Sequence, residues 1–438
     1  MSSASTSTAA HASHAFDVPE FAVVEAGATL RIPLSTRTAT RVPAADVPLI
    51  HVNRAQLLRI ASEGAHRALA PASGTMRALA EATLFSGQRV PAVELSVDHP
   101  SKSSGEQIVQ TIENAERMDA LRTLGRSDLG TWIERLRDAG VHADRRASPD
   151  LIAQLFQAVR RPIDTVICNL LDSDPTACLS AAIAAQFATE LVAGVALVAR
   201  ITGATRVSIV ADQRLPASWT QSIRAPARAQ SARLLFIAND YPQLDPTLLL
   251  YTLLSRRLRP GRLPTEQGVI VLDAGAAWAI GRLYLADEPM LHVPITVRDH
   301  VRMLSHFVLA PIGMPLSDLL TRLGEDQTDA LIRGGDLLRD LVLPRDAVFS
   351  GSELVLHTTA PEPDINPDAC IRCGWCVEAC PTRVQPAVIL EAAQLDDIDL
   401  AERAGIEACI DCGICSYVCP SKLPLQEGIR QMKSRHDV

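Results

Sequence analysis

The chain has 438 residues, of which 47% are hydrophobic and 4% aromatic, and its formal net charge is −8. That length suggests about three or four domains with sizeable cores. An acidic balance with both signs spread along the chain excludes nucleic-acid binding as the main role, and many free thiols point to a reducing, cytoplasmic compartment.

Residues 1–20 begin with a Ser/Ala/Thr-rich stretch, Met1 to His14, which lacks the basic start and apolar run of a signal peptide; it is expected to be a disordered tail. Residues 21–100 read as short strands at Phe21–Val24, Thr29–Ile32, Leu49–Val52 and Val93–Val97. The small-residue turn Ala70-Pro71-Ala72-Ser73-Gly74-Thr75 between strands predicts a β sandwich built on hairpins. Residues 101–120 are polar and read as a linker.

From 121 to 288 apolar β-branched runs alternate with helical segments. The strands are Thr165–Cys168, Arg206–Val210, Leu234–Ala238 and Val269–Leu272, with helices near 150–160, 176–202, 216–226, 245–257 and 275–286. Such alternation predicts a largely parallel sheet, Rossmann-like, covered on both faces. The most apolar stretch, Ala177 to Ile201, is interrupted by Gln186 and Glu190 and predicts a buried helix, too short in its clean part to cross a bilayer. Cys168 and Cys178 read as small buried residues, and the 11 histidines form no ligand pair at helical spacing.

Residues 289–345 read β-β-α over Leu291–Val297, His306–Ala310 and Leu316–Leu323, a small α+β unit. Gly334-Gly335 follows and is too short to define a phosphate loop. Pro361-Glu362-Pro363 and Pro367 predict a stiff linker into a module over 360–438. Within that module Ala387–Ala404 and the residues after Pro424 are expected to be helical. Arg430, Lys433 and Arg435 near the end give either a solvated basic face or a docking surface for an acidic partner.

Eight of the ten cysteines fall in that module, in two runs: Cys370-x-x-Cys373-x-x-Cys376-x-x-x-Cys380-Pro381 and Cys409-x-x-Cys412-x-x-Cys415-x-x-x-Cys419-Pro420. Disulfides suit secreted domains and do not use this spacing. Zinc uses paired Cys-x-x-Cys units, leaving the third cysteine and the proline unexplained. The spacing is that of two 4Fe–4S clusters, in which the fourth cysteine of each run serves the other cluster. One ligand set is then Cys370, Cys373, Cys376 and Cys419; the other is Cys409, Cys412, Cys415 and Cys380.

The chain resembles the C subunit of the Rnf (Rsx) electron-transport complex and, more distantly, the flavoprotein subunit of respiratory complex I. The resemblance is carried by Cys370-Ile371-Arg372-Cys373-Gly374-Trp375-Cys376 with its continuation to Pro381, by Cys409-Ile410-Asp411-Cys412-Gly413-Ile414-Cys415 with its continuation to Lys422, by Leu69–Thr75, by Tyr241-Pro242-Gln243 and by Pro311-Ile312-Gly313-Met314-Pro315-Leu316. It implies an N-terminal barrel-sandwich, a FMN/NADH-type α/β domain, a soluble-ligand-binding (SLBB) β-grasp unit and a ferredoxin-type end. It also implies a peripheral protein on the cytoplasmic face of the bacterial inner membrane. Such a protein takes electrons from NADH onto FMN and passes them through two clusters to partner subunits.

The family's flavin loop, roughly Gly-Leu-Gly-Gly-Ala-Gly-Phe-Pro-Thr, corresponds here to Gly140–Asp150, with Ala143, Arg145, Arg146 and Ser148 in place of the glycines. Side chains then fill the space of the flavin; Arg145 and Arg146 read as a solvated basic loop or as a charge site for phosphate. The family's Glu-x-Glu-Pro stretch becomes Asp172-Ser173-Asp174-Pro175. Asp172 and Asp174 are the candidate flavin or nicotinamide contacts, and Asp174 before Pro175 also reads as a helix N-cap. Leu244–Thr247 lacks the family's Gly, Glu and Lys. Three readings stand: an electron-transfer subunit without its own flavin, served by a redox protein donor or acceptor; an NADH-oxidising flavoenzyme; and a soluble cobalamin-reductase-like protein.

Overall fold

The structure is a computed structural model. It describes residues 19–34, 50–60, 66–98, 110, 112, 114–141, 143–325, 330–336, 338–339, 342–352, 355–361 and 366–436. The expected N-terminal tail, except its last two residues, and most of the Pro361–Pro363 linker lie outside the described residues.

The N-terminal strands are β1 (Ala22–Val23), β2 (Thr29–Pro33), β3 (Ile50–Val52), β4 (Leu57–Ile60), β5 (His66–Leu69), β6 (Gly74–Thr83) and β7 (Arg89–Val97). One sheet runs β2-β7-β6-β3, antiparallel, and β4-β5 forms a separate hairpin. Alternate residues of β2 point inward, burying Leu30 and Ile32. The Ala70–Thr75 turn joins β5 to β6 as expected. β1 goes elsewhere: it pairs in parallel with a strand nearly three hundred residues on, described below. The sequence pattern marks it as a strand but carries no information on its partner.

Residues 115–120 are helical (α1), capped by the Asn114 side chain, rather than linker. The helix α2 (Leu129–Asp138) has no counterpart in the expected elements, although Leu129, Trp132, Ile133 and Leu136 bury one helical stripe. Next come α3 (Leu151–Arg160), β8 (Thr165–Asn169), α4 (Leu179–Gln186), α5 (Ala188–Thr202), β9 (Arg206–Asp212), α6 (Ala217–Ala229), β10 (Arg233–Ile237), α7 (Pro246–Leu254), β11 (Val269–Asp273) and α8 (Ala274–Ala286). The four strands form one parallel sheet, ordered β10-β9-β8-β11. Val166 and Cys168 face the core shared with α5 and α8, while Ile167 faces a second core with Leu249 and Leu250 of α7. Both faces are therefore covered, which requires the near-continuous apolar strands seen in the sequence.

The apolar stretch is two helices, not one, bent by 98° at Phe187. Its polar interruptions each hold a distant backbone group: Gln186 Oε1 accepts from Phe21 N–H at 2.9 Å, and Glu190 Oε1 from Ile112 N–H at 2.8 Å. Among the described residues no single helix is long and apolar enough to cross a membrane. Helices α5 and α8 touch backbone to backbone: a Cβ added at Gly281 would stand 1.7 Å from the Glu190 carbonyl oxygen.

The strands β12 (His292–Asp299) and β13 (Leu304–Pro311), the helix α9 (Leu316–Leu323), and the strands β14 (Leu331–Gly334) and β15 (Val355–Thr359) follow. Their sheet runs β1-β13-β12-β15-β14, so it takes a strand from each side of the expected β-β-α segment. The end of the chain is helical: α10 (Trp375–Glu378), α11 (Pro386–Leu395), α12 (Ile398–Arg403), α13 (Ile414–Val418) and α14 (Leu425–His436). The expected helix over 387–404 breaks at Asp396, whose φ is 56°, and restarts with Asp397 as N-cap.

Candidate functional site

The two cysteine runs share one backbone course. In each, the residue before the second cysteine and the one after it lie in the left-handed region: Arg372 (φ 56°) and Gly374 (φ 81°), then Asp411 (φ 53°) and Gly413 (φ 78°). Left-handed residues on both sides of the second cysteine reverse the local course of the backbone there, in the same way in each run. The residue three beyond each fourth cysteine, Arg383 or Lys422, is left-handed too. The second run is held against the rest of the chain: a Cβ at Gly413 would meet the Leu338 carbonyl oxygen at 2.1 Å.

Cys409, Cys412, Cys415 and Cys380 line a single small cavity, with Ile410 and Ile429 around them. All four are buried. In the first run Cys370 and Cys373 are exposed and Cys376 is half-buried, and Cys376 lies close enough to Cys419 to feel its charge. The second run thus gathers Cys380 from the first, and Cys419 approaches the first. Burial raises the thiol pKa of Cys376, Cys409 and Cys412, and pushes Cys415 up to about 12, with neighbouring thiolates adding to the shift at Cys415. Buried neighbouring thiols such as Cys409, Cys412 and Cys415 ionise together only around a positive centre, which is the condition an iron–sulfur core meets.

The loop at 140–150 is not a solvated basic loop. The Arg145 and Arg146 side chains are 5% and 8% exposed. Arg145 Nη1 lies 2.7 and 2.6 Å from the two carboxylate oxygens of Asp273, and its other nitrogens donate to the carbonyls of Gly351 and Ser352. Arg146 donates to Asp245 (3.2 Å), Asp336 (3.0 Å), the Tyr241 hydroxyl (2.8 Å) and the Ile410 carbonyl (3.3 Å). The Tyr241 hydroxyl in turn donates to the Cys412 carbonyl at 2.6 Å. Burial opposes the Arg146 charge, but Tyr241, Asp245 and Asp336 outweigh it and hold the guanidinium protonated. Two of the family's four glycine positions are therefore occupied by committed arginines, one of which ties the α/β sheet to the cysteine module. With all of these donors engaged and no glycine cradle at 145 and 146, the loop does not fit a flavin phosphate held by free N–H groups.

Asp172 is buried, and its carboxylate accepts from the backbone N–H and hydroxyl of Ser180, the hydroxyl at 2.6 Å. Burial pushes its pKa up to about 7 against those bonds. Asp174 is not a helix N-cap. Its Oδ1 accepts from Thr176 N–H and Oγ1, both at 2.8 Å, in a local turn, while α4 starts at Leu179 and Asp172 bonds its first-turn Ser180. Cys168 is buried as expected, whereas Cys178 is only partly buried and precedes α4.

A cleft of about 1330 Å³ runs between these parts. Asp172, Ser173, Arg145 and Arg146 line one side; Cys409, Asp411, Arg430 and Lys433 line the other. The last two are not a free basic face: Arg430 pairs with Asp411 at 3.0 Å, and Lys433 Nζ donates to the Cys409 carbonyl at 2.8 Å. Arg435 bonds Asp396 at 3.2 Å. The arginine ties are invisible to pattern reading, since Arg145 and Asp273 are 128 residues apart.

The Nuo51 FMN-binding domain family matches residues 149–282, beginning just after Arg145 and Arg146, and the 4Fe-4S dicluster domain matches 362–420. The C subunit of the ion-translocating oxidoreductase complex of Rhodobacter capsulatus is 28% identical over 282 residues, covering 62% of this chain and 54% of the relative. That of Vibrio cholerae is 27% identical, covering 71% and 41%, and that of Haemophilus influenzae 27%, covering 84% and 44%. The chain thus spans about half the length of the curated relatives it matches. An NAD+-reducing [NiFe]-hydrogenase in the H2-reduced state superposes with a TM-score of 0.45 at 15% identity, covering 74% of this chain and 65% of that one. By its matched domains and its relatives, this chain is similar to the C subunit of the ion-translocating (Rnf/Rsx) oxidoreductase complex, with an α/β part similar to the Nuo51 FMN-binding domain.

Proposed function

We propose that the chain is a peripheral electron-transfer subunit of an Rnf-like, membrane-bound ion-translocating complex that works without a flavin or nicotinamide site of its own. The observation that carries this is the arginine loop: where a flavin would need glycines, Arg145 and Arg146 are buried and fully bonded to Asp273, Asp245 and Asp336. Two 4Fe–4S clusters, when bound, would supply one-electron carriers. Cys370, Cys373, Cys376 and Cys419 would hold one; Cys409, Cys412, Cys415 and Cys380 would hold the other. The shared cavity of the second set supports this pairing.

In this reading residues 21–100 form the barrel-sandwich, 121–288 a degenerate FMN/NADH-type domain, 289–345 the core of an SLBB-like unit and 360–438 the cluster module. The cleft beside Cys409, lined there by Asp411, Arg430 and Lys433, is where a redox protein would exchange electrons. Other subunits of the complex would carry the membrane spans and ion movement, with this chain on the cytoplasmic face of the inner membrane.

A second reading, an NADH-oxidising flavoprotein, is favoured by the Nuo51 match and the size of the cleft. Flavin, iron and sulfide content of the anaerobically purified chain decides between them. About eight irons and eight sulfides per chain without flavin, and no bleaching by NADH, support the first. Stoichiometric FMN with NADH-bleached clusters establishes the second.

A further inference from the structure

We propose that Asp174, His300 and His357 form a site for one divalent transition-metal ion, with zinc as its simplest occupant. It is separate from the cysteine centres and does not depend on the electron-transfer reading. The histidines form no pair at helical spacing in the sequence; it is the sheet that brings two of them together. His357 lies on β15, which pairs in parallel with β12, and His300 follows the end of β12 with its N–H bonded to the Thr358 carbonyl at 2.9 Å. Asp174 reaches them from the loop after β8, in the other sheet.

One donor atom from each residue converges, all three within 4.8 Å of one another. His357 Nδ1 is 3.0 Å from His300 Nε2 and 3.9 Å from Asp174 Oδ2. An ion about 2.0–2.1 Å from nitrogen and oxygen donors in a tetrahedral site needs them roughly 3.3 Å apart. The two distances bracket that value.

The surroundings prepare each donor. His357 is fully buried, and its Nε2 lies 3.0 Å from the Gly335 carbonyl oxygen. A carbonyl can only accept, so Nε2 carries the proton and Nδ1 is left with its lone pair facing the cluster. This is the outer bond that fixes tautomer and ring orientation in metal-binding histidines. Asp174 Oδ1 is taken by Thr176, whereas Oδ2 is buried with no hydrogen-bond partner among the described residues.

A proton shared between the two imidazoles would satisfy them but would leave Asp174 Oδ2 desolvated and unpaired, which is costly. A cation satisfies all three at once. Asp174 and His300 are partly exposed, which gives the ion a route in and leaves room for water as a fourth ligand. Two imidazoles and a carboxylate suit zinc or ferrous iron, not calcium or magnesium. The ion would join the loop after β8 to the five-stranded sheet and hold the Asp172–Asp174 stretch in place.

The test uses the full chain with its clusters, purified anaerobically and titrated with zinc. Metal content is read by mass spectrometry and ligation by zinc-edge X-ray absorption. Expected is about one zinc per chain with nitrogen and oxygen neighbours at roughly 2.0–2.1 Å, imidazole scattering and no sulfur at about 2.3 Å. His300→Gln and Asp174→Asn should each weaken zinc binding roughly tenfold or more, and abolish the zinc-induced rise in melting temperature, with iron content unchanged. Zinc held only through sulfur, no zinc at micromolar concentration, or undiminished binding in a folded variant would each overturn the proposal.

Discussion

Arg145 holds Asp273 through one nitrogen, Nη1, at 2.7 and 2.6 Å from its two carboxylate oxygens, with the side chains 5% and 2% exposed. Asp273 also caps α8 by accepting from Ala276 N–H at 2.7 Å. Removing one member of such a buried pair leaves the other charged and unpaired. Arg145→Ala should therefore cost about 3–5 kcal/mol, read as a fall in thermal midpoint. Arg145→Ala with Asp273→Asn should recover much of the loss; a double variant as unstable as the single one would refute the pairing as its cause.

The Tyr241 hydroxyl bonds both Arg146 and the Cys412 carbonyl. Tyr241→Phe keeps the ring and loses both bonds, at about 1–2 kcal/mol. The loss falls on the contact between the α/β part and the cysteine module. Cluster absorbance should bleach faster in mild urea while the far-ultraviolet signal of the rest persists. Equal bleaching rates would show that the contact does not guard the cysteines.

Asp172 gives a pH dependence of unusual sign. Its folded pKa is raised to about 7, burial being the main cause, from an ordinary value of 3.8. Between these values the folded state holds a proton that the unfolded state has lost. Its contribution to stability is thus fully present below about pH 4 and is lost as pH rises through 7, by up to roughly 4 kcal/mol. Asp172→Asn keeps an acceptor for Ser180 and cannot ionise. The variant should gain on the wild type in melting temperature from pH 6 to pH 8, and parallel curves would contradict the assignment.

Lys433 donates to the Cys409 carbonyl and lowers the energy of negative charge at that thiol. Reduction adds an electron to a cluster held there, so the cation favours the reduced form. Lys433→Ala should shift that potential downward by tens of millivolts, since Coulomb's law gives on the order of 1–2 kcal/mol between unit charges roughly 10 Å apart at an effective dielectric of about 20. Redox titration followed by electron paramagnetic resonance reads the shift.

Gly281 allows α5 and α8 to meet at their backbones. Gly281→Ala places a methyl on the Glu190 carbonyl and must push the helices apart. A loss of at least roughly 1–3 kcal/mol is expected, visible in urea unfolding, although alanine is the better helix former.

Much of the fold was legible because local signals agreed with their surroundings. The alternation of Thr165–Asn169 and Val269–Asp273 with apolar helices specifies a parallel sheet, and the cysteine spacing marks its chemistry outright. What escaped the sequence was relational. Nothing local says that Ala22–Val23 pairs with Val308 and Leu309, that Arg145 finds Asp273, or that His300 meets His357 across neighbouring strands. The bend at Phe187 was hidden because helices on both sides are apolar all round and show no stripe whose phase could break. Arg145 and Arg146 look like a solvated loop until their carboxylate partners, far off in sequence, are placed.

The parallel pairing of Ala22–Val23 with Val308–Leu309 sets an order for biosynthesis. The first strand leaves the ribosome long before its neighbour exists. At about 5–20 residues per second, the wait is on the order of 15–60 s. During that time the sheet cannot close, and Phe21 lacks its edge-on contact with Phe307. Ala22–Val23 can thus be stitched into its sheet only after the distant strand it needs has been made.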